Sequence, residues 1–377
     1  MTRKIAIVGA FGIGSIGDEA GLDAFVRAVS DFASVTVLMR NPTEAYARQH
    51  GVLVHHKLEH TLRSDGARLA FRGMNGGDDP EPIEAILRLF TDTDLVVLGP
   101  GDFFNEDTGQ FMRGALPEMA LMAWLAEMAG TPYMVYAASA RELRSVWAIA
   151  QASYIVSHAA AVTIRDRSSK NRLVSAGVRG AWKAVVCDDP VRATKPRVLQ
   201  EPINGRLGLS VRWVGYRSDA DNYARIVSYI ATKWTSKRST CSTHADEVYT
   251  IPMFASGCGY QDDRETALQL APGATHIESI RMTPADALYH WSSCERALTT
   301  RLHAAVMCYS LGIPFVALAY EPKVAGFCDT VGATWFPLSA DPEEVRAALY
   351  SAQPLPVTEP NMGRYREIIQ GAACRKY

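Results

Sequence analysis

Near the end of the chain, Arg301 and His303 stand in Thr299-Thr300-Arg301-Leu302-His303-Ala304-Ala305, and Lys323 follows in Ala319-Tyr320-Glu321-Pro322-Lys323-Val324. Two permanent cations beside a group that titrates near neutrality suit an enzyme that holds a small anion, moves a proton and stabilises a departing phosphate. Arg296 to Thr300 reads as a short strand running into a helix that begins near Arg301 and is stopped by Gly312 and Pro314. A helix N-terminus carries unpaired amides and partial positive charge, so Arg301 and His303 would flank an anion site there. Phe315 to Tyr320 reads as a buried parallel strand, which puts Lys323 at its carboxyl end, the edge where open α/β sheets bind ligands. Singly, such residues are most often solvated charges or a satisfied core histidine. Three at successive strand ends point towards chemistry.

The elements that must position them alternate between strand and helix. Strand patterns occur at Ile5–Val8, Ser34–Leu38, Leu95–Leu98, Tyr133–Ala137, Ala161–Ile164 and Ala184–Cys187, with helices between them, including apolar Pro117–Met128. A second alternation runs through Leu207–Val211, Ala245–Ile251, Ala274–Ile277, Arg296–Thr299 and Phe315–Ala319. Residues 189 to 205, with three prolines and Gly205, read as a linker. The expectation is an α/β protein with two Rossmann-like domains, residues 1–195 and 205–340, facing a cleft, and a helical tail, 341–377, packing back on the body.

Composition narrows the class. The 377 residues are 48% hydrophobic and 21% charged with a formal net charge of -1, enough for two cores and no bulk reason to seek nucleic acid or anionic membrane. Seven cysteines, without a CxxC or a paired His/Cys spacing, speak against a zinc site and a secreted disulfide framework. Residues 146 to 164 lack Lys, Arg, Asp and Glu but carry polar side chains, and read as buried helix and strand, not a membrane span. No signal-peptide pattern precedes the first strand. A cytoplasmic enzyme without metal or bound cofactor is expected. The sequence leaves homo-oligomerisation open.

The string Arg301-Leu302-His303-Ala304, followed by Tyr320-Glu321-Pro322-Lys323-Val324-Ala325-Gly326-Phe327, resembles the signatures of the polysaccharide pyruvyl transferase family. Gly14-Ser15-Ile16-Gly17-Asp18-Glu19-Ala20 resembles its N-terminal turn, with Ser15 where asparagine is usual. Thr163-Ile164-Arg165-Asp166-Arg167-Ser168-Ser169, Asp188-Asp189-Pro190 and Leu207 to Arg212 resemble further blocks, in family order from residue 9 to residue 332. The resemblance implies a glycosyltransferase-B-like architecture and pyruvyl transfer from phosphoenolpyruvate, the co-substrate, onto two hydroxyls of a sugar or sugar-like acceptor. It makes His303 the acid that protonates the enol methylene, and Arg301 and Lys323 the groups that hold donor and leaving phosphate. Arg212 and Arg165, each after a strand, would complete the donor cage; pairing of either with local acids is the competing reading.

The acceptor is expected on the N-terminal side. There Gly14, Gly17, Asp18 and Glu19 form a glycine turn, and Gly101-Asp102-Phe103-Phe104-Asn105-Glu106-Asp107 offers Asp102, Asn105 and Asp107 to hydroxyls and Phe103 to a sugar face. Asp102 and the alanines of Ala137-Ala138-Ser139-Ala140 replace residues that are usually glycine in the family, which suggests a tighter pocket and a small or terminal sugar. Three rivals stand beside this reading: a nucleotide-sugar glycosyltransferase of the same fold, an NADP oxidoreductase resting on Gly12, Gly14, Gly17 and Arg40, and a non-catalytic binding protein. Asp18 and Glu19, directly after the last glycine, weigh against a dinucleotide, because carboxylates in the first turn repel a diphosphate.

Overall fold

The computed structural model describes residues 2–39, 41–57, 81–106, 114–235, 246–255, 262–277 and 282–375. It divides into two compact units: Met1–Gly12 with Gly21–Pro190 and Pro360–Tyr377, and Ile13–Ala20 with Val191–Glu359.

In the first unit the strands are β1 (Arg3–Val8), β2 (Ala33–Met39), β3 (Leu53–His56), β4 (Leu95–Leu98), β5 (Gly101–Phe104), β6 (Tyr133–Ala140), β7 (Ala161–Ile164) and β8 (Val185–Val186). They form one parallel sheet in the order β3-β2-β1-β4-β6-β7-β8, with β5 also on β6. Every residue of β4 and of β6 is buried, as in a parallel sheet covered on both faces. Alternation along β1 divides two cores: Ala6 and Val8 pack with the helix Ala115–Met128, and Ile5 and Ile7 with Phe25, Tyr136 and Tyr365.

In the second unit β9 (Ile203–Ser210), β10 (Glu247–Thr250), β11 (Thr275–His276), β12 (Cys294–Thr299), β13 (Phe315–Ala319) and β14 (Thr334–Pro337) form a parallel sheet in the order β11-β10-β9-β12-β13-β14. Strand order reverses between β9 and β12 here, and between β1 and β4 in the first unit. Such a reversal opens a crevice at the carboxyl ends of the strands.

The division of the chain differs from the expected one at both ends. Residues 13–20 belong to the second unit: Ile16 donates to the Met253 carbonyl at 3.1 Å, Ala255 to Gly14 at 3.1 Å, and Ser15 bridges Phe254. The tail is also not one piece. Helix Pro342–Ser351 buries Val345 and Leu349 in the second unit, whereas helix Met362–Ala373 buries Tyr365 and Ile369 in the first, where the Tyr365 hydroxyl donates to the Asp188 carbonyl at 2.8 Å. Three strands were not expected. β3 and β14 are edge strands with no fully buried position, and β5 follows Gly99-Pro100-Gly101, which reads as a turn.

Candidate functional site

The carboxyl ends of β9, β12 and β13 in the second unit carry the predicted cations. Helix Leu302–Ser310 follows β12 with Arg301 at its N-cap, and helix Pro322–Val331 follows β13 with Glu321 at its N-cap and Lys323 in its first turn; no side chain caps either. In the same unit the helices Asp263–Leu270, Pro284–Ser292 and Pro342–Ser351 all have side-chain caps, from Asp262, Thr283 and Asp341. Cations in a first turn oppose the helix dipole. Two cations at the starts of two helices whose N-cap residues make no side-chain cap, Arg301 at one N-cap and Lys323 in the other's first turn, do not serve stability. They do suit an anion.

Tyr320 organises the cluster. Arg212 Nη1 donates to its hydroxyl at 2.5 Å and the guanidinium lies 4.5 Å from its ring centre, with the Lys323 ammonium 6.0 Å from the same ring. Arg217, paired with Asp219, donates to the Tyr320 carbonyl at 2.9 Å. The Arg212 amide donates to the Tyr223 hydroxyl at 3.1 Å, which lies 3.3 Å from the Thr300 hydroxyl. Burial pushes the Tyr223 phenol up to about 12, so it stays neutral. Among the described residues, Nε and Nη2 of Arg212 have no protein partner. Lys323 pairs with Glu321 at 2.7 Å.

Arg301 is held, not loose. Its Nε lies 3.0 and 3.2 Å from the two Asp263 oxygens and its Nη2 donates at 2.5 Å, which leaves Nη1 outside the pair. Asp263 is 1% exposed and also accepts from the Met253 and Phe254 amides at 3.2 and 3.0 Å. Burial pushes the Asp263 carboxyl up, and Arg301 with the Met253 amide pulls it back. Burial also works against the Arg301 charge, but Asp263 holds the guanidinium above its usual value and keeps it protonated.

His303 lies against the N-terminal turn. A Cβ on Gly17 would fall 1.6 Å from His303 Nδ1, so the imidazole occupies the space a side chain there would need. That is why position 17 is glycine, and it accounts for the last glycine of the GxGxxG string without a pyrophosphate. The turn of Gly14, Gly17, Asp18 and Glu19 therefore joins the unit that carries Arg301 and His303. It was expected in the N-terminal domain.

The first unit treats its predicted residues differently. Arg165, its side chain 6% exposed, reaches Asp189 at 3.5 Å and donates to Ser139 Oγ at 2.8 Å, the pairing with a local acid that stood as the competing reading. Arg141 Nε donates to Asp102 at 2.9 Å, Ser139 lies 3.4 Å from the other Asp102 oxygen, and the Asn105 amide donates to the Asp102 carbonyl. Phe103, 4% exposed, packs on Phe104 with ring centres 4.5 Å apart and offers no face to a sugar. Ala137, Ala138 and Ala140 are buried in the sheet core, so they do not narrow a ligand pocket. Asp107 and Arg40 lie outside the described residues.

Sequence reasoning missed Asp263, Arg217 and Tyr320. Asp263 opens a helix with a second acid, Asp262, before it, and such acids ordinarily read as caps. Its partner is 38 residues away, and nothing local announces it.

Among the described residues no group of three His, Cys, Asp or Glu could hold a metal ion, and no helix is long and apolar enough to cross a membrane. The sequence profile of the family described as polysaccharide pyruvyl transferase matches residues 16–322. No curated protein sequence matches the chain. Among solved structures, a putative UDP-N-acetylglucosamine 2-epimerase from Listeria monocytogenes is similar at 11% identity with a TM-score of 0.59, covering 100% of this chain and 92% of that one. The UDP-GlcNAc 2-epimerase from Neisseria meningitidis bound to UDP-GlcNAc, at 12% identity and TM-score 0.55, covers 98% and 99%. MurG from Acinetobacter baumannii, at 14% identity and TM-score 0.51, also covers 98% and 99%. These likenesses show the fold, two parallel-sheet α/β units of the glycosyltransferase-B type.

Proposed function

Since the chain belongs to the polysaccharide pyruvyl transferase family, we propose that it transfers the enolpyruvyl group of phosphoenolpyruvate to two hydroxyls of one sugar acceptor, forming a pyruvate ketal and releasing phosphate. The observation that carries this reading is the meeting of Arg212, Arg301 and Lys323 at the switch-point end of one sheet, beside two helix N-termini that no side chain caps. The donor is a phosphate and a carboxylate on a three-carbon frame, and it needs several fixed cations.

In this reading His303 gives a proton to the methylene carbon, and positive charge develops at the carbon bearing the phosphate oxygen. One acceptor hydroxyl adds to that carbon and loses its proton. The C–O bond to phosphate breaks, Arg212, Arg301 and Lys323 stabilise the departing charge, and the second hydroxyl adds to the same carbon and loses its proton, so that of the two hydroxyl protons one restores His303 and the other leaves with the phosphate. Asp263 touches no substrate; it holds Arg301 in place. Asp18 and Glu19, in the turn against His303, are the acceptor or base candidates of this unit, and Asp102 and Asn105 those of the other. No metal is required by this chemistry.

A second reading, a nucleotide-sugar transferase, draws support from the UDP-GlcNAc carried by the Neisseria meningitidis neighbour. Calorimetry with a chelator present separates the two. The proposal expects phosphoenolpyruvate to bind and UDP-GlcNAc not to. Tight binding of UDP-GlcNAc with none of phosphoenolpyruvate sinks it.

A further inference from the structure

A second basic site lies in the first unit. Arg167 and Lys170 on helix Arg167–Ser175, Lys183 in the turn before β8 and Arg364 on helix Met362–Ala373 line a pocket of about 440 Å³ with β8 as its floor and Trp182 at its rim. Chain-wide, 39 basic residues face 40 acidic ones, yet no carboxylate lines this pocket. Arg167, Lys183 and Arg364 form no ion pair among the described residues. The basic groups at the carboxyl edge of the same sheet, by contrast, pair with Asp102 and Asp189. Lys170 donates to the Trp182 and Ala184 carbonyls at 3.0 and 2.6 Å, which fixes the turn that presents the indole. Trp182 is 71% exposed, with the Lys183 ammonium 5.6 Å from its ring centre.

Cations gathered without a counter-charge repel one another, and a large exposed indole loses nothing by being polar instead. Together they fit one ligand chemistry: a sugar ring whose C–H face lies on the indole while a carboxylate or phosphate on it meets the guanidinium and ammonium groups. We propose that this pocket binds a segment of acidic glycan, apart from the residues assigned to transfer. The sugar half of the assignment rests on the family reading above. The anion half rests on the pocket alone.

Calorimetry on the full chain, with tetragalacturonate as the probe, tests this. It should bind, more weakly as salt is raised, while neutral maltotetraose does not. The double variant Lys183→Glu/Arg364→Glu, with its fold checked by circular dichroism, should lose at least about tenfold in affinity, a change of about 1.4 kcal/mol. Trp182→Ala should weaken binding of tetragalacturonate without affecting phosphoenolpyruvate. His303→Gln should leave tetragalacturonate binding intact, so failure of the transfer reading and failure of this one are distinguishable. The proposal is overturned if tetragalacturonate does not bind, if its binding survives the double charge reversal, or if maltotetraose, inorganic phosphate or an oligo-dT strand binds as tightly.

Discussion

The two units share one architecture, a parallel sheet whose order reverses between neighbouring strands, and differ in what they do with charge at the carboxyl edge. In the first unit Arg141 and Arg165 are taken up by Asp102 and Asp189, and the helices Val146–His158 and Arg167–Ser175 are capped by Ser145 and Asp166. In the second, the helices after β12 and β13 have no side-chain cap, and Arg212 keeps donors unused. The fold alone therefore does not make an anion site. Leaving a charged donor without a partner costs stability, and Arg212 at the second edge carries that cost; an uncapped helix by itself does not separate the units, since helix Ala115–Met128 after β5 also has no side-chain cap. Substitutions of the arginines should then separate: changes to Arg212 and Arg301 at the second edge should cost turnover or donor affinity, and changes to Arg141 and Arg165 at the first should cost stability.

The strongest break in that comparison is His303. With a proven acceptor, His303→Ala and His303→Gln should lose roughly 10²–10⁴-fold in turnover while the protein stays folded, the usual size of a general-acid contribution. Wild-type turnover in either variant would place the acid elsewhere. Gly17→Ala belongs with it, because the added methyl meets the imidazole. It should lower turnover by displacing His303 even though no chemical group is removed.

Asp263→Ala comes next. It leaves the half-buried Arg301 guanidinium and two amides without their acceptor, so stability should fall by about 3 kcal/mol, the lower end of the cost of breaking a buried pair, read from urea midpoints. Peptide-resolved hydrogen exchange should put the loss in the second unit. A variant as stable as wild type would show that the pair is not what holds this edge.

How far the sequence reaches is clear at this pair. Arg301, His303 and Lys323 were legible because they sit at strand ends, and strand ends follow from local apolar runs such as Phe315–Ala319. Asp263 was not, since its role arises from a partner brought near only by the fold. Phe103 failed for a related reason: an aromatic after a glycine turn looks exposed, but β5 pairs with β6 and carries it into the core. The glycine string was legible as a turn, yet its attachment to the second unit was not, because hydrogen bonds from residues some 240 positions away decide it.

A smaller effect sharpens the contrast between the arginines of the two edges. Arg212→Ala removes charge-assisted contacts to a bound anion worth about 1.5–3 kcal/mol, so phosphoenolpyruvate affinity should drop by roughly one to two powers of ten with little change in melting temperature. Arg165→Ala should do the opposite, lowering the melting temperature through loss of its contacts to Asp189 and Ser139 while donor affinity stays the same. If both variants lost donor affinity equally, the division of labour between the two edges would be wrong.

The smallest expected effect is a pH dependence confined to the second unit. His290, at the end of helix Pro284–Ser292, has its Nδ1 2.8 Å from the Tyr249 hydroxyl, and burial pushes its pKa below the usual value, with Asp286 pulling the other way. The unfolded chain thus takes up a proton at this position at a higher pH than the folded one does. Stability rises with pH wherever the unfolded state binds more protons, so this contribution is present above about 6.5 and is lost progressively as pH falls from there towards the folded value. His290→Gln, which does not titrate, should flatten that slope. Urea midpoints of wild type and variant through mildly acid pH would show it as a difference that grows on acidification, with hydrogen exchange placing the extra opening on β10 and its neighbours. Equal slopes, or an opening on the strands of the first unit, would mean that acid sensitivity resides elsewhere.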